Sequence, residues 1–363
     1  MRLPRKSSSF HRSEAALPQP ALVYLIGTLA LIALLFVTDI KTALIYAVCL
    51  GLAQALSSGS LEAWFIDQIK LDNPDVDLQP YLAREGVIET TANAVGALIG
   101  GLLPVLIIYW NIGVEPLAAP LILSLIVRGG AFFALLTLIP SDAPEASATL
   151  TPLRDVKVIL GDAFALVGKD NGLKQLLTIT ANGVALGSLE AFWQPHFKET
   201  IGISPENTVV FGGVQAIGFL FGTAGGLLAT RFVAQFGGNK RAAMAAQVIK
   251  ALLFFILAVS TNFVITTVVF ALFYLVLVLN ISPHMALYNH TLPNNRRSAL
   301  LSVSSIVLFM GVGGGSMMVG WLSAQQGFGA AFLFIGVVTL ISALLYLKLP
   351  AVQPVKEVEV SAA

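Results

Sequence analysis

Three sets of polar side chains recur at four-residue spacing inside otherwise apolar stretches. Gln54, Ser58 and Glu62 form one, Glu85, Glu89 and Asn93 a second, and Asn280, His284 and Tyr288 a third. A spacing of four places each set on one face of a helix. A longer stripe of Gln175, Thr178, Asn182, Glu190 and Trp193 falls within an arc of about 120° at 100° per residue, interrupted by Leu186. Such faces can do proton chemistry. A carboxylate at bilayer depth, as at Glu62 or Glu190, is costly when charged and has a reason to take up a proton, and an imidazole such as His284 changes charge near neutral pH. Trp64 lies close to Glu62, and Phe192 and Trp193 follow Glu190, so each carboxylate has an aromatic neighbour suited to an amphipathic or cationic molecule. The motif GSLEAFW around Glu190 echoes GSLEAW at Gly59–Trp64. Each group also has a purely structural explanation: Glu62 pairs with Lys70 or Arg84, Glu190 pairs with Lys198, and His284 is wetted near a helix end. Arg84 with Glu85 and Glu89 reads either as a salt-bridged cytoplasmic gate or as ordinary interfacial charge. Arg128 and Lys250, deep in apolar stretches, are expected to snorkel and are assigned no role.

The elements that carry these residues follow from composition. The chain has 363 residues, 56% of them hydrophobic and 11% charged, against the roughly 25% charge usual in soluble domains. Its mean hydropathy is +0.83. So apolar a chain cannot leave a wettable surface, and its main solvent must be lipid. A soluble enzyme, a secreted disulfide scaffold and a nucleic-acid partner are excluded, the last because a net charge of +1 makes no field for polyanions. The lone Cys49 allows no internal disulfide. His11, His196, His284 and His290 form no H-E-x-x-H or comparable cluster, and no G-x-x-x-x-G-K-[ST] loop occurs. The expectation is a non-enzyme with no cofactor and no metal.

A spanning helix needs about 20 apolar residues, and ten stretches qualify: 21–38, 42–66, 87–109, 117–139, 175–195, 208–230, 242–260, 263–284, 299–322 and 328–347. With the N-terminus in the cytoplasm, Lys41 and Lys198 are the only basic residues outside, Arg128 and Lys250 lie within spans, and the other seventeen of 21 are cytoplasmic. That asymmetry is the orientation signal of a multi-pass cell-membrane (plasma or inner membrane) protein with both ends inside. Residues 1–20 and 349–363 read as cytoplasmic tails. The polar interval 140–174 reads as a cytoplasmic linker, with helical spacing over Asp155–Val167, between a four-span bundle (21–139) and a six-span bundle (175–348). The expected fold is all-α, with about ten transmembrane helices.

Spans three and nine each follow a basic edge and carry small residues four apart, Gly96 with Gly100 and Gly311 with Gly315, a spacing that lets helices approach closely in lipid. Their six-span offset suggests an internal repeat. GGLLATRFVAQFGGNKRA resembles a degenerate copy of the cytoplasmic G-x-L-A-D-R-x-G-R-K-R signature of the major facilitator superfamily, matched at Gly226, Leu228, Ala229, Arg231, Gly237, Lys240 and Arg241, with Thr230 in place of its Asp. LSSGSLEAWFIDQI is similar to the end of the fourth helix of drug-exporter-like members, and PNNRRSALLSVSS, with Arg296 and Arg297, to the start of their eleventh. The resemblance spans about residues 20–348. By it, the four spans before the linker correspond to the family's third to sixth helices, and the first two helices are lacking.

The resemblance implies a secondary transporter of a small organic molecule working by alternating access, as a proton-driven efflux antiporter. Its partners would be the substrate, protons as coupling ion and membrane lipid, with the oligomeric state open. Glu62, Glu190, Asn182, Trp64, Phe192, Trp193, Asn280 and His284 are its expected substrate and proton groups. Arg84, Glu85, Glu89, Arg231, Arg241, Arg296 and Arg297 are its expected gate and loop groups. The competing expectation is an N-terminally truncated protein or gene fragment of the same family that no longer transports.

Overall fold

The computed structural model describes residues 19–57, 79–138, 167–180, 182–204, 206–292 and 297–349, with isolated positions 161 and 165. All regular structure among them is helical. In chain order the helices are α1 (Gln19–Leu34), α2 (Ile40–Ser57), α3 (Gln79–Tyr109), α4 (Ala119–Leu138), α5 (Asn171–Thr180), α6 (Gly183–Glu199), α7 (Thr208–Gln235), α8 (Asn239–Val259), α9 (Phe263–Thr291) and α10 (Arg297–Leu345). Short 3-10 turns at Pro116–Ala118 and Tyr346–Lys348 lead into α4 and end α10. Among the described residues, six stretches are long and apolar enough to cross a membrane by length and composition: Val87–Tyr109, Pro116–Thr137, Thr208–Gln235, Asn239–Val259, Phe263–Tyr288 and Val303–Lys348. The chain is a multi-pass membrane protein.

One detail departs from the sequence expectation. The stretch 175–195 is not one helix, because it breaks between α5 and α6, where Asn182 takes a turn conformation at the head of α6 (φ −68°, ψ 12°). The stretches 299–322 and 328–347 are two helical arms that meet at a kink, whose non-helical residue is Gly327, at φ 81°. That positive φ is open to glycine without a Cβ clash, so the two arms, 297–326 and 328–345, meet at a joint.

Helix contacts divide the chain into two compact units. The first holds the described residues up to Leu82 and those of Leu103–Thr149. In it, α1 packs against α2 and α4. Asp39 starts α2: its carboxylate accepts from the backbone N–H of Thr42 at 2.8 Å, and the Thr42 hydroxyl accepts from the backbone N–H of Asp39 at 3.1 Å. Chiefly that Thr42 N–H holds the Asp39 carboxyl below its ordinary value, so the cap supports the helix above the carboxylate range and weakens as pH falls through it. Arg128 does not snorkel. Its guanidinium turns inward over the Tyr24 ring, 5.4 Å from the centroid, and against Gly27.

The second unit holds Ala83–Leu102 and the described residues from Leu150 onward. Here α7 packs on α9, α8 lies between α9 and α10, and α6 lies along α10. Its core has two apolar layers. One is aromatic, with Trp193, Phe197, Phe254, Phe270, Phe273, Phe328 and Phe332 among its members. The other is mostly aliphatic, built on Leu173, Leu176, Leu177, Leu287, Leu300 and Val303, with Tyr288 and Tyr346.

Within this unit the middle of α3 crosses α7 at a pair of glycines. A Cβ on Gly212 would sit 2.5 Å from the Ala97 carbonyl and 2.9 Å from Gly101 Cα, and one on Gly101 would sit 2.6 Å from the Thr208 carbonyl. The contact is backbone against backbone, reinforced by Thr208 Oγ1 donating to the Gly101 carbonyl at 2.7 Å and Thr223 Oγ1 donating to Thr90 Oγ1 at 2.8 Å. Gly212→Val should therefore cost about 1–3 kcal/mol, the usual range for overpacking. Gly313→Ala, where a Cβ meets nothing within 4 Å, should be neutral or slightly stabilising. Thermal unfolding of the two purified variants in detergent checks the contrast.

Candidate functional site

A polar belt runs between the two apolar layers of the second unit. Several helices contribute to it: Thr180 and Asn182 at the α5–α6 break, Gln247 and Lys250 on α8, Asn280 and His284 on α9, Ser304 and Ser342 on α10, and Tyr346 just after it. On α8, Ala243 belongs to the aliphatic layer and Ala246 and Leu253 to the aromatic one, with Gln247 and Lys250 just beyond the change. Lys250 lies eleven residues into α8, about 16 Å along it at 1.5 Å per residue, near half the depth of a bilayer core of about 30 Å.

The belt surrounds a cavity of about 370 Å³. Its polar wall is formed by Thr180, Asn182, Gln247, Lys250, Asn280, His284, Ser304 and Ser305, and its apolar wall includes Ile179, Leu186, Leu277, Ile281, Leu301 and Leu308. The break at Asn182 matters here. There the backbone tightens, with Asn182 N–H donating to the Ile179 carbonyl at 2.9 Å and Ala185 N–H to the Asn182 carbonyl at 3.0 Å, and the Asn182 side chain stands at the cavity wall, with Nδ2 donating to Gln247 Oε1 at 3.5 Å. Gln247 Nε2 in turn donates to Ser342 Oγ at 3.5 Å. Interrupted helices are a recurrent way to place polar groups at membrane depth.

His284 is held from both sides. Its Nε2 lies 3.0 Å from Thr180 Oγ1 and its Nδ1 lies 2.8 Å from the Tyr346 hydroxyl. The Thr180 hydroxyl already donates to the Leu176 carbonyl at 2.9 Å, so Nε2 carries the proton and Thr180 accepts it. Nδ1 then accepts from Tyr346, which is 0% exposed. The chain Tyr346 to His284 to Thr180 to Leu176 is thus satisfied with a neutral imidazole. Lys250, 5% exposed, does not snorkel. With the Asn280 amide oriented so that both its ends are satisfied, Nδ2 donates to the Ala243 carbonyl and Oδ1 accepts from Lys250 Nζ, both at 3.2 Å.

The residues singled out from sequence are dispersed. Asn182, Asn280 and His284 converge on the cavity. Glu190 does not line it. That carboxylate lies on the exposed side of α6, near enough to Tyr274 for its charge to act there, and Tyr274 accepts a hydrogen bond from Gln215 at 3.0 Å. Trp193, 4% exposed, turns away from Glu190 into the aromatic layer, 4.9 Å from Phe270 and 5.7 Å from Phe197. The helical arc drawn through span five is therefore not one surface: Asn182 and Leu186 line the cavity, Thr178 and Glu190 are exposed, and Trp193 is buried in the aromatic layer. Phe192 is half-buried and leans on Phe328. Tyr288, the third member of the α9 stripe, is buried in the aliphatic layer and donates to the Leu300 carbonyl at 2.6 Å. Glu89, Arg231 and Arg241 are exposed or half-buried without joining the cavity wall. Glu62, Trp64 and Arg296 lie outside the described residues, as do Gln54's side chain, Ser58, most of the 140–174 interval and the side chains of Arg84, Glu85 and Arg297.

Lys250, Gln247, Thr180 and Tyr346 are the site residues that sequence reasoning missed. A lysine near the centre of an apolar stretch is the available signal for Lys250, since such residues commonly face a bundle interior. Among the described residues, no three His, Cys, Asp or Glu side chains come together to hold a metal ion.

In fold, the chain is similar to the crystal structure of a mutant form of the nucleoside transporter NupG, with a TM-score of 0.71 at 16% identity, over 91% of this chain and 82% of that one. No protein-family model and no curated protein matches the sequence. At this identity the likeness defines the fold alone, that of an all-helical polytopic membrane protein.

Tyr346→Phe leaves the His284 Nδ1 buried without a donor. The expected loss is about 1–3 kcal/mol, the cost of an unsatisfied buried polar group, seen as a lowered unfolding midpoint in detergent. His284→Phe in the same background should recover part of that loss, because it removes the orphaned acceptor.

Proposed function

We propose that the chain is a secondary active transporter of a small organic molecule, of the major facilitator type, whose substrate site in the second unit is the cavity around Lys250, Asn280 and His284. One observation carries the reading: a hydrogen-bonded polar belt encloses room for a ligand at mid-depth in a helix bundle that is otherwise apolar. The hydrogen bonds of the belt tie helices together, but packing a bundle needs no ligand-sized space lined by polar groups, since each polar group taken from water must find a partner or lose stability. The transporter fold agrees with this reading. The reading takes the full membrane plan of the sequence with it: ten crossings, four before the 140–174 linker and six after, with both termini cytoplasmic. Alternating access needs parts that yield without unfolding, and the α5–α6 break and the Gly327 joint supply two in the unit that holds the cavity.

Protons are the proposed coupling ion, and Glu190 is the proposed carrier. Its carboxylate has no hydrogen-bond or ion-pair partner among the described residues, on a helix with few other charges. Neutralised by a proton it is tolerated at membrane depth; ionised it needs water or a cation. The family resemblance implies export as the direction. Nucleosides, which the structurally similar protein carries by its name, are one substrate class to test beside amino acids and organic acids.

Proteoliposomes holding the purified chain should accumulate or lose one labelled compound of such a panel when a pH gradient is imposed. Glu190→Gln should abolish the gradient-driven flux and leave substrate exchange at equal pH intact. Gradient-driven flux undiminished in Glu190→Gln would remove Glu190 from the coupling role, and absence of any protein-dependent flux would remove the transporter reading.

A further inference from the structure

We propose that the cavity of the second unit binds a monoanionic organic molecule, a small carboxylate with an apolar body, whose charge is held by Lys250. The proposal rests on the reading of this cavity as a substrate site and specifies what it takes.

The cavity wall is out of charge balance. Lys250 lies in it about 16 Å along α8, by the rise of 1.5 Å per residue. An ammonium has three donors and no acceptor. Asn280 Oδ1 takes one of them at 3.2 Å, and the amide's other end is occupied by the Ala243 carbonyl. No acidic side chain lines the cavity among the described residues. The one other ionisable group in the wall, His284, is engaged by Thr180 and Tyr346 and carries no negative charge in any tautomer. The wall therefore offers the Lys250 ammonium donors to spare and no counter-ion. A buried charge without an opposite partner is unfavourable, and a ligand bringing one negative charge into this space removes the imbalance.

The rest of the lining sets the remainder of the ligand. Opposite the polar wall are Ile179, Leu186, Leu277, Ile281, Leu301 and Leu308, which favour an apolar body over a small, strongly hydrated ion. The volume of about 370 Å³ lies near the lower end of small-molecule sites. Asn182, Gln247 and Ser304 stand near enough to orient a second polar group on the ligand. This reverses the preference for a cationic molecule that the carboxylates suggest from sequence, since Glu190 does not line the cavity and the group that does is a lysine.

The test uses the purified full-length chain in detergent, with benzoate, benzamide and benzylammonium as ring probes differing in charge, and hexanoate as a second carboxylate. Unfolding midpoints and calorimetric titrations are read at matched ionic strength. The expected result is that benzoate or hexanoate raises the midpoint progressively with concentration, by about 2–4 °C at saturation, while benzamide and benzylammonium do not. In Lys250→Met the carboxylate affinity should fall at least about tenfold, as expected for loss of a charge-assisted hydrogen bond. The variant trades an uncompensated buried charge for an Asn280 Oδ1 left without its donor, so its unfolding midpoint should stay near the parent's. If Lys250→Met does not fold, Lys250→Gln serves in its place. The proposal is overturned if neither carboxylate binds, if benzamide or benzylammonium binds as well as benzoate, or if binding survives loss of the Lys250 charge. Gradient-driven flux of another compound without carboxylate binding would overturn this proposal and leave the transporter reading standing. Carboxylate binding without flux would do the reverse.

Discussion

Inside lipid there is no water to complete a polar atom, and the second unit is organised around that constraint. Its belt of amides, hydroxyls, imidazole and ammonium has to satisfy itself from within. Thr180, His284 and Tyr346 do so in a directed chain, Asn182, Gln247 and Ser342 in a second, and Lys250 and Asn280 in a third. Each chain joins different helices, so the belt acts as a register for the bundle: sliding α8 past α9 would part Lys250 from Asn280. The apolar layers on either side supply the packing. The belt sets which turn of each helix faces which.

The same constraint explains the local irregularities. The α5–α6 break falls at the belt, where the Asn182 side chain has a partner on α8. Tyr346 is drawn into the interior by His284, and the 3-10 turn that carries it is tied at its end by Lys240, whose Nζ donates to the Leu347 and Leu349 carbonyls at 3.3 and 2.6 Å. Lys240 belongs to the basic loop whose sequence resembles a transporter signature. In this unit its contact is with the chain's last described turn rather than with another loop charge. At the crossing of α3 and α7 the backbones meet at Gly101 and Gly212. The glycines that spacing marks out on α3 are Gly96 and Gly100, and no side chain or backbone of another element lies within 4 Å of where a Cβ on either would sit. Four-residue spacing identifies a helix face with small residues, but the neighbouring helix decides which member is touched.

Much of the site is legible in the sequence as residue types and little of it as geometry. Asn182, Asn280 and His284 stand out because polar residues are rare in such stretches, and all three reach the cavity. Glu190 and Trp193 stand out for the same reason and do not: the cavity ends at Leu186, and further along α6 Glu190 is exposed while Trp193 packs into the aromatic layer. Lys250 reads as a snorkelling side chain by a rule that depends on depth and side-chain length alone. A lysine turns inward when its face of the helix is the packed one and a partner waits there. On α8 that face is defined by other helices, α9 and α10, and not by the periodicity of α8 itself.

The sequence by itself determined the solvent and the class of fold. A chain 56% hydrophobic and 11% charged, with apolar runs of bilayer length, can bury itself only as helices in lipid. It also determined which residues would be costly there. Tertiary structure alone decided what those residues do. Whether a buried polar group becomes part of a cavity, a tie between helices or an exposed carboxylate depends on the atoms opposite it, and those come from distant segments of the chain. Thr180 and His284, 104 positions apart, are 3.0 Å from each other in the fold. No periodicity within either helix carries that pairing, because it is produced by packing whole helices into one register.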